Sequence, residues 1–355
     1  MAKFRLGEKK RHSMPRRLLV LAGVIIVLLL VGIVIVRHVY NEDLKPVSND
    51  QTTKVVTIKP GSSTKEIADQ LASARLIRSA WAFELFVHTK ENGDKLQAGT
   101  YALSPSQSMS SIIDTLSSGA VATNLVTILP GRRIDQVRAD LINDGFSPSS
   151  VDRALSPSQY TDVPTLAYLP ANATTLEGLL YPDSFQKTAE TDPAVIIRES
   201  LQEMAKHLSG VQTAFAKEGL TTYQGIVLAS MIEKEVSKPA DRAQAAQVFL
   251  TRLKSGSTLG SDVTAIYGAI AAGQQQLSQG AMLKYDTPYN TLIHTGLPPT
   301  PISSISDSSL QAAAHPAGTN WLYFVSGDDG NTYFSTNLQD QQANTQKYCH
   351  KLCGQ

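Results

Sequence analysis

Cysteine is almost absent: the chain has two, Cys349 and Cys353, both within its last seven residues. An ectodomain built on a disulfide framework is therefore excluded. A bond between the two would close a tiny loop, and a frayed tail with two thiols is the equal alternative. A Cys-x3-Cys pair with His350 and no second cluster does not make a zinc site, and no metal or other cofactor is expected. Net charge is also lacking, at +1 over 355 residues. The one dense basic run lies before residue 18, and its position explains it without nucleic acid. Aromatics are sparse at 6%.

What is present is a long apolar run. Leu18 to Val36 reads LLVLAGVIIVLLLVGIVIV, 19 residues with no polar side chain, a match in length for a hydrocarbon core of ~30 Å. A cleaved secretory signal is the competing reading. Signal cores run only ~7–15 apolar residues and precede a small-residue cleavage site, whereas Arg37 and His38 follow here. Lys3, Arg5, Lys9, Lys10, Arg11, Arg16 and Arg17 precede the run against a single acid, Glu8. The positive-inside rule then puts residues 1–17 in the cytoplasm and the rest outside, as a single-pass protein of the inner or plasma membrane. Residues 37–53, polar and without periodicity from Asn41, are expected to be a linker.

The remainder is long enough for about two domains, and its pattern predicts an α+β class. An internal echo organises the first part. VTIKPG at 56–61 and VTILPG at 126–131 lie 70 residues apart, and each precedes an i, i+4 apolar pair, Ile67 with Leu71 and Val137 with Leu141. A fainter copy, YALSPSQS at 101–108, precedes Ile112 and Leu116. Each copy reads as a strand, a turn and a helix. With a further helix around Ala80 to Lys90, residues 54–120 form a small α+β module, either a glycan-binding unit or a spacer. Residues 123–348 form the larger domain, and 349–355 are a tail.

In that domain, LASMIEKEV at 228–236 sets two glutamates two residues apart. Thr221 and Gln224 have capping-box spacing, so a helix is expected from about 222 with Ile226, Val227, Leu228, Met231 and Ile232 as a buried stripe. At about 100° per residue Glu233 and Glu235 diverge by about 200°, so they cannot form one catalytic pair. Glu235 shares the face of Leu228, Met231 and Ile232, and a carboxyl against apolar groups holds its proton to higher pH. Glu233 shares the side of Ala229 and Ser230. A solvated helix end is the competing reading of Glu235.

Further blocks follow in order: LEGLLYPDSF at 176–185, AQVFLTRL at 246–253, LGSDVTAIYG at 259–268, YNTLIHTGLPPTPIS at 289–303 and AAAHPAGTNWLYFVSG at 312–327. With the glutamate helix and the module at 54–120, in the place of a LysM-like domain, the ectodomain resembles the YceG-like family of membrane-anchored endolytic murein transglycosylases. The resemblance implies a lytic transglycosylase domain and cleavage of the β-1,4 bond from N-acetylmuramic acid to N-acetylglucosamine within peptidoglycan glycan strands. The products would carry 1,6-anhydromuramic ends. Partners implied are the strands, the membrane and peptidoglycan synthesis proteins. The second glutamate of the EKE triplet, Glu235, matches the catalytic position, with Glu233 as fallback.

Glu177, Tyr181 and Asp183 are candidates for lining the cleft, against a turn stabilised by Pro182. Asp262, Thr264 and Tyr267 follow Gly260 in a loop-like stretch. Tyr289, Asn290 and Thr291 lead into a Pro-rich wall, and His315 is a further candidate contact. The chain departs from the family pattern at Val236, Thr332 and Gln341. Two rival readings stand. A hydrolytic muramidase would need a second carboxylate, for which Glu177, Asp183 and Asp262 are available, and the other rival is a non-catalytic glycan-binding scaffold.

Overall fold

A computed structural model describes residues 16–50, 53–89, 95–121, 124–171, 173–188 and 190–351. The basic residues before Arg16 and Cys353 lie outside them; Cys349 is disulfide-bonded. The chain divides into two compact units, 1–122 and 123–355, each with its own core.

The first unit begins with helix α1, Arg16–Asp43, which covers the apolar run. From Leu28 to Val36 every large apolar side chain of α1 is exposed. Among the described residues no helix is long and apolar enough to cross a membrane. Strand β1, Lys54–Ile58, leads to α2, Thr64–Ser73, and α3, Ala80–Thr89. Strand β2, Gly99–Leu103, then pairs antiparallel with β1, Val56 opposite Tyr101, and α4, Met109–Ser118, follows. Val56 and Ile58 alternate inward with period two. Helix α2 starts with a full capping box between Ser63 and Glu66. The expected linker is only partly one. Helix α1 runs on to Asp43, Tyr40 and Leu44 pack on the module core, and the Arg78 guanidinium donates to the Pro46 carbonyl at 2.8 Å.

The second unit opens with β3, Leu125–Thr127, and helices α5, Ile134–Asn143, and α6, Pro148–Ala154. Strand β4, Ser184–Gln186, returns antiparallel to β3, with Val126 opposite Phe185. A long helix α7, Pro193–Lys217, precedes α8, Thr222–Glu235. Helices α9, Arg242–Lys254, α10, Asp262–Ala271, α11, Gln279–Met282, and α12, Asp307–Ala314, follow. A hairpin of β5, Tyr323–Ser326, and β6, Thr332–Ser335, is backed by α13, Leu338–Tyr348. Gln341, one of the departures, knits this corner: it accepts from the Ser335 hydroxyl at 2.7 Å and donates to the Phe324 carbonyl at 2.9 Å.

All three copies of the echo fold as strand, turn and helix, and their i, i+4 pairs are buried. The turns need Gly61 and Gly131 because both adopt positive φ, 82° and 73°, which a side chain would strain.

Helix α8 departs from the expected stripe. Every residue from Gly225 to Ile232 is buried, so this is a central helix, apolar all round. Helix α12 packs on it, as does α7, whose Phe215 ring would lie 2.6 Å from a Cβ built on Gly225. Burial on all sides removes the face argument that set Glu235 apart from Glu233, since Ala229 and Ser230 are as deep as Leu228.

Candidate active site

The site begins where α8 ends. The capping box of Thr221 and Gln224 starts the helix. Val236, in extended conformation at φ −123°, stops it, and Pro239 follows three residues on. Glu235, on the last helical residue, therefore carries its carboxyl beyond the buried body of the helix, and the residue keeps partial exposure.

That carboxyl meets the N-terminus of α10. Glu235 Oε1 accepts from the Ser261 hydroxyl at 2.5 Å, and the carboxyl also accepts from the Val263 backbone N–H. Ser261 occupies the N-cap position of α10 but makes no side-chain cap bond, because its hydroxyl is turned to Glu235. The glutamate itself satisfies one of the free N–H groups of α10. Burial pushes Glu235 up to about 7; the Ser261 hydroxyl pulls it down, the Asp262 charge raises it, and the Val263 amide and Arg252 lower it. A carboxyl balanced near neutrality can both give and take a proton.

Several predicted residues build the support behind this contact. Thr264 and Thr291 are 0% and 1% exposed, too deep to line a cleft. The Thr264 hydroxyl lies 2.7 Å from both the Ser261 carbonyl and the Thr291 hydroxyl. Thr291 accepts from the Ser261 N–H at 3.2 Å, and its carbonyl accepts from the Gly260 N–H at 2.9 Å. Asn290, fully buried, donates to the carbonyls of Leu283 and Tyr285 at 3.0 and 2.9 Å. Arg252 donates to the Leu259 carbonyl at 2.7 Å from the other side. Gly260 is at φ 69° with Arg252 Nη1 2.7 Å from where a Cβ would stand, so only glycine fits there.

Glu233, the fallback, is committed elsewhere. Its carboxylate faces Arg242 at 3.1 and 3.2 Å, with both side chains under 8% exposed. It also accepts from the Ser306 N–H at 3.0 Å and hydroxyl at 2.5 Å. Arg242 in turn donates to the Val236 carbonyl at 3.1 Å, closing the end of α8. With its oxygens already filled in this way, Glu233 has a structural role.

Glu177 is 2% exposed and accepts from the Ile134 N–H at 3.0 Å and the Tyr267 hydroxyl at 3.1 Å. Tyr267 packs on Tyr289 with ring centres 5.0 Å apart, and the Tyr289 hydroxyl is 3.0 Å from that of Thr300. Burial pushes Glu177 up to about 7, against the pull of the Ile134 amide and the Tyr267 hydroxyl. The folded state thus holds this proton to higher pH than the unfolded chain, whose glutamates titrate near 4.5. Stability from this group is present below about 4.5 and is lost as pH rises toward 7. Each unit of pH in that window is worth up to about 1.4 kcal/mol. Urea unfolding at pH 5 and pH 7 checks this: the stability of Glu177→Gln relative to the parent should rise with pH, and a pH-independent difference contradicts it.

Of the remaining candidates, Asp262 stands beside the Glu235 contact and favours its protonated form, and the others have packing, backbone or surface places of their own. Tyr181 stacks on His207 at 4.1 Å, and its carbonyl accepts from Ser200 at 3.0 Å, a packing role between β4 and α7. Asp183 is exposed just before β4, and its carbonyl accepts from the Ile128 N–H at 2.9 Å to extend the small sheet. His315 is exposed at the C-cap of α12. Asp262 is exposed in the first turn of α10, beside Ser261. Among the described residues no group of three His, Cys, Asp or Glu side chains could hold a metal.

Sequence reasoning missed Ser261, Arg242, Arg252 and Ser306. Ser261 carried a signal, a serine directly before the acidic first residue of a helix. The other three carried none, since their roles depend on contacts far along the chain.

The profile of the YceG-like family matches residues 56–347, and the chain belongs to that family. It is 30% identical over 318 residues to the endolytic murein transglycosylase of Bacillus subtilis strain 168, covering 86% of this chain and 88% of that protein. It is 27% identical over 334 residues to the endolytic murein transglycosylase of Streptococcus pneumoniae serotype 2 strain D39, spanning 60% of that longer protein. A crystal structure of a yceG-like protein from Listeria monocytogenes superposes with a TM-score of 0.56 at 27% identity, over 82% of this chain and 99% of that one.

Proposed function

We propose that the chain is a peptidoglycan lytic transglycosylase that cleaves the N-acetylmuramic acid to N-acetylglucosamine β-1,4 bond inside glycan strands, with Glu235 as its acid and base. The observation that carries this is the Glu235 carboxyl, held by Ser261 and the N-terminus of α10 and balanced at about 7. The names of the relatives support the same activity.

The chemistry follows from one carboxyl. Protonated Glu235 gives its proton to the glycosidic oxygen as the bond to muramic C1 breaks. The C6 hydroxyl of the same muramic sugar attacks C1 and surrenders its proton to the Glu235 carboxylate. No water enters, and the acid is restored. Between the two transfers the carboxylate is stabilised by the Ser261 hydroxyl and the Val263 amide.

Hydrolysis would need a second carboxylate at the bond. Glu177 is buried and already hydrogen-bonded to Ile134 and Tyr267, which leaves the exposed Asp183 and Asp262 as the candidates for that rival. Mass spectrometry of digested strands separates the readings. Anhydromuramic ends support the transglycosylase, reducing ends support a muramidase, and intact strands support a binding protein.

The proposal extends to location and to the small unit. The 19-residue apolar run and the exposed apolar side chains of α1 support a single-pass anchor with the catalytic unit outside the cytoplasm. The order β1-α2-α3-β2 supports a LysM-like, glycan-binding role for the first unit. Contact with peptidoglycan synthesis proteins is proposed on the resemblance alone.

A further inference from the structure

Helix α3 has two apolar sides. Ala82, Phe83 and Val87 turn into the module core and are fully buried, while Trp81 and Leu85, one turn apart on the other side, are 48% and 36% exposed. The inner side is ordinary packing, but an exposed tryptophan with a leucine beside it points to a contact outside the module. Glu84, the one acid of α3, lies near enough to Lys65 of α2 to attract it.

Both exposed residues meet α1. The Trp81 ring stands edge-on to that of Tyr40, with centres 6.0 Å apart. Leu85 forms one wall of a groove of about 630 Å³ whose other wall is α1, from Leu28 through Ile33 to Val36. The α1 residues in it recur every four positions, so they make one stripe along the helix. Gly32 belongs to this stripe, and no neighbouring group stands within 4 Å of where its Cβ would be, so the two helices do not close on each other there. The stripe ends with Arg37, Tyr40 and Asn41, just past the apolar run that stops at Val36. Tyr40 and Leu44 pack on the module core, which ties α1 to the module above the run.

A surface continuous with the apolar run faces the medium that the run faces. With Val36 at the edge of the hydrocarbon, Tyr40 lies about 6 Å beyond it, within the lipid headgroup layer. Tyrosine and tryptophan favour that level because each joins an apolar ring to a polar edge, and an arginine there reaches lipid phosphate. We propose that the Trp81 and Leu85 edge of α3 is seated in the outer-leaflet lipid interface, with acyl chains in the groove and lipid phosphate at Arg37. The inference rests on the anchor reading and adds that the first unit lies on the bilayer instead of standing off it on a stalk.

The chain has two tryptophans, Trp81 and Trp321, so Trp321→Phe leaves Trp81 as the sole reporter. Full-length Trp321→Phe protein is reconstituted into phosphatidylcholine vesicles whose lipids carry bromine either near the top of the acyl chain or near its end. An indole seated about 5–10 Å into the headgroup boundary should lose emission in both, and more to the upper bromine than to the lower. Adding Leu85→Glu should weaken the quenching with little change in melt, since the position is exposed and a carboxylate resists entering an apolar groove. Extraction of the same vesicles with alkali shows whether α1 is inserted. Inserted protein whose Trp81 is as bright in brominated as in plain vesicles would overturn the proposal while leaving the anchor reading intact. Quenching strongest from the chain end, or unchanged by Leu85→Glu, would also overturn it. Protein released by alkali would overturn the anchor reading and the proposal with it.

Discussion

Glu235→Gln should lose at least ~10²–10⁴-fold of the strand-cleaving rate, the usual worth of a general acid or base, with more expected where one group serves both steps. The amide keeps the size of the side chain and can still meet the Ser261 hydroxyl and the Val263 N–H, so the melt should be nearly unchanged. In the parent, kcat/KM should fall as pH rises through about 7, because the first step needs the protonated carboxyl. A variant that folds normally and still releases anhydro ends at near-parental rate would remove Glu235 from the chemistry.

Arg242→Met should be the most destabilising single change at this end of the molecule. It strips a buried carboxylate of its partner and leaves the Val236 carbonyl without its donor. Breaking one side of a buried pair costs about 3–5 kcal/mol, which for a unit of this size lowers the melting temperature by roughly 10 °C. Glu233→Gln is therefore a poor neutral control. It too would leave Arg242 uncompensated. Replacing both residues with apolar ones should recover much of the loss, and thermal melts of the two single variants and the double check this. Melts of Arg242→Met within ~0.5 kcal/mol of the parent, the range of ordinary surface changes, would contradict the clasp.

Local signals explain what was legible beforehand. Pro and Gly after a short apolar strand, then an i, i+4 pair, located β1 with α2 and β3 with α5, because each unit is written within about fifteen residues. The start of α8 was readable from Thr221 and Gln224 for the same reason. The stripe on α8 was misread because only the tertiary arrangement of α7, α9 and α12 reveals that this helix is enclosed. Thr264 reads from the sequence as a ligand contact because polar residues on a loop tend to face ligand, but the stretch is helix α10; Asn290 and Thr291 read as leading into a Pro-rich wall. Here they bond to backbone and to each other and hold Ser261 from behind. The pairing of Glu233 with Arg242 and Ser306 spans 9 and 73 residues, and no periodicity encodes such a distance. Glu235 stood out through its block, and what distinguishes it physically is the partner it meets, the first turn of α10.

The most direct test of a one-carboxyl lytic mechanism is to run the cleavage in water enriched in oxygen-18 and weigh the new muramic ends. Internal attack by the C6 hydroxyl predicts ends that are lighter by one water than hydrolytic ends and carry no heavy oxygen. Reducing ends labelled with solvent oxygen would show that water is the nucleophile and would contradict the account.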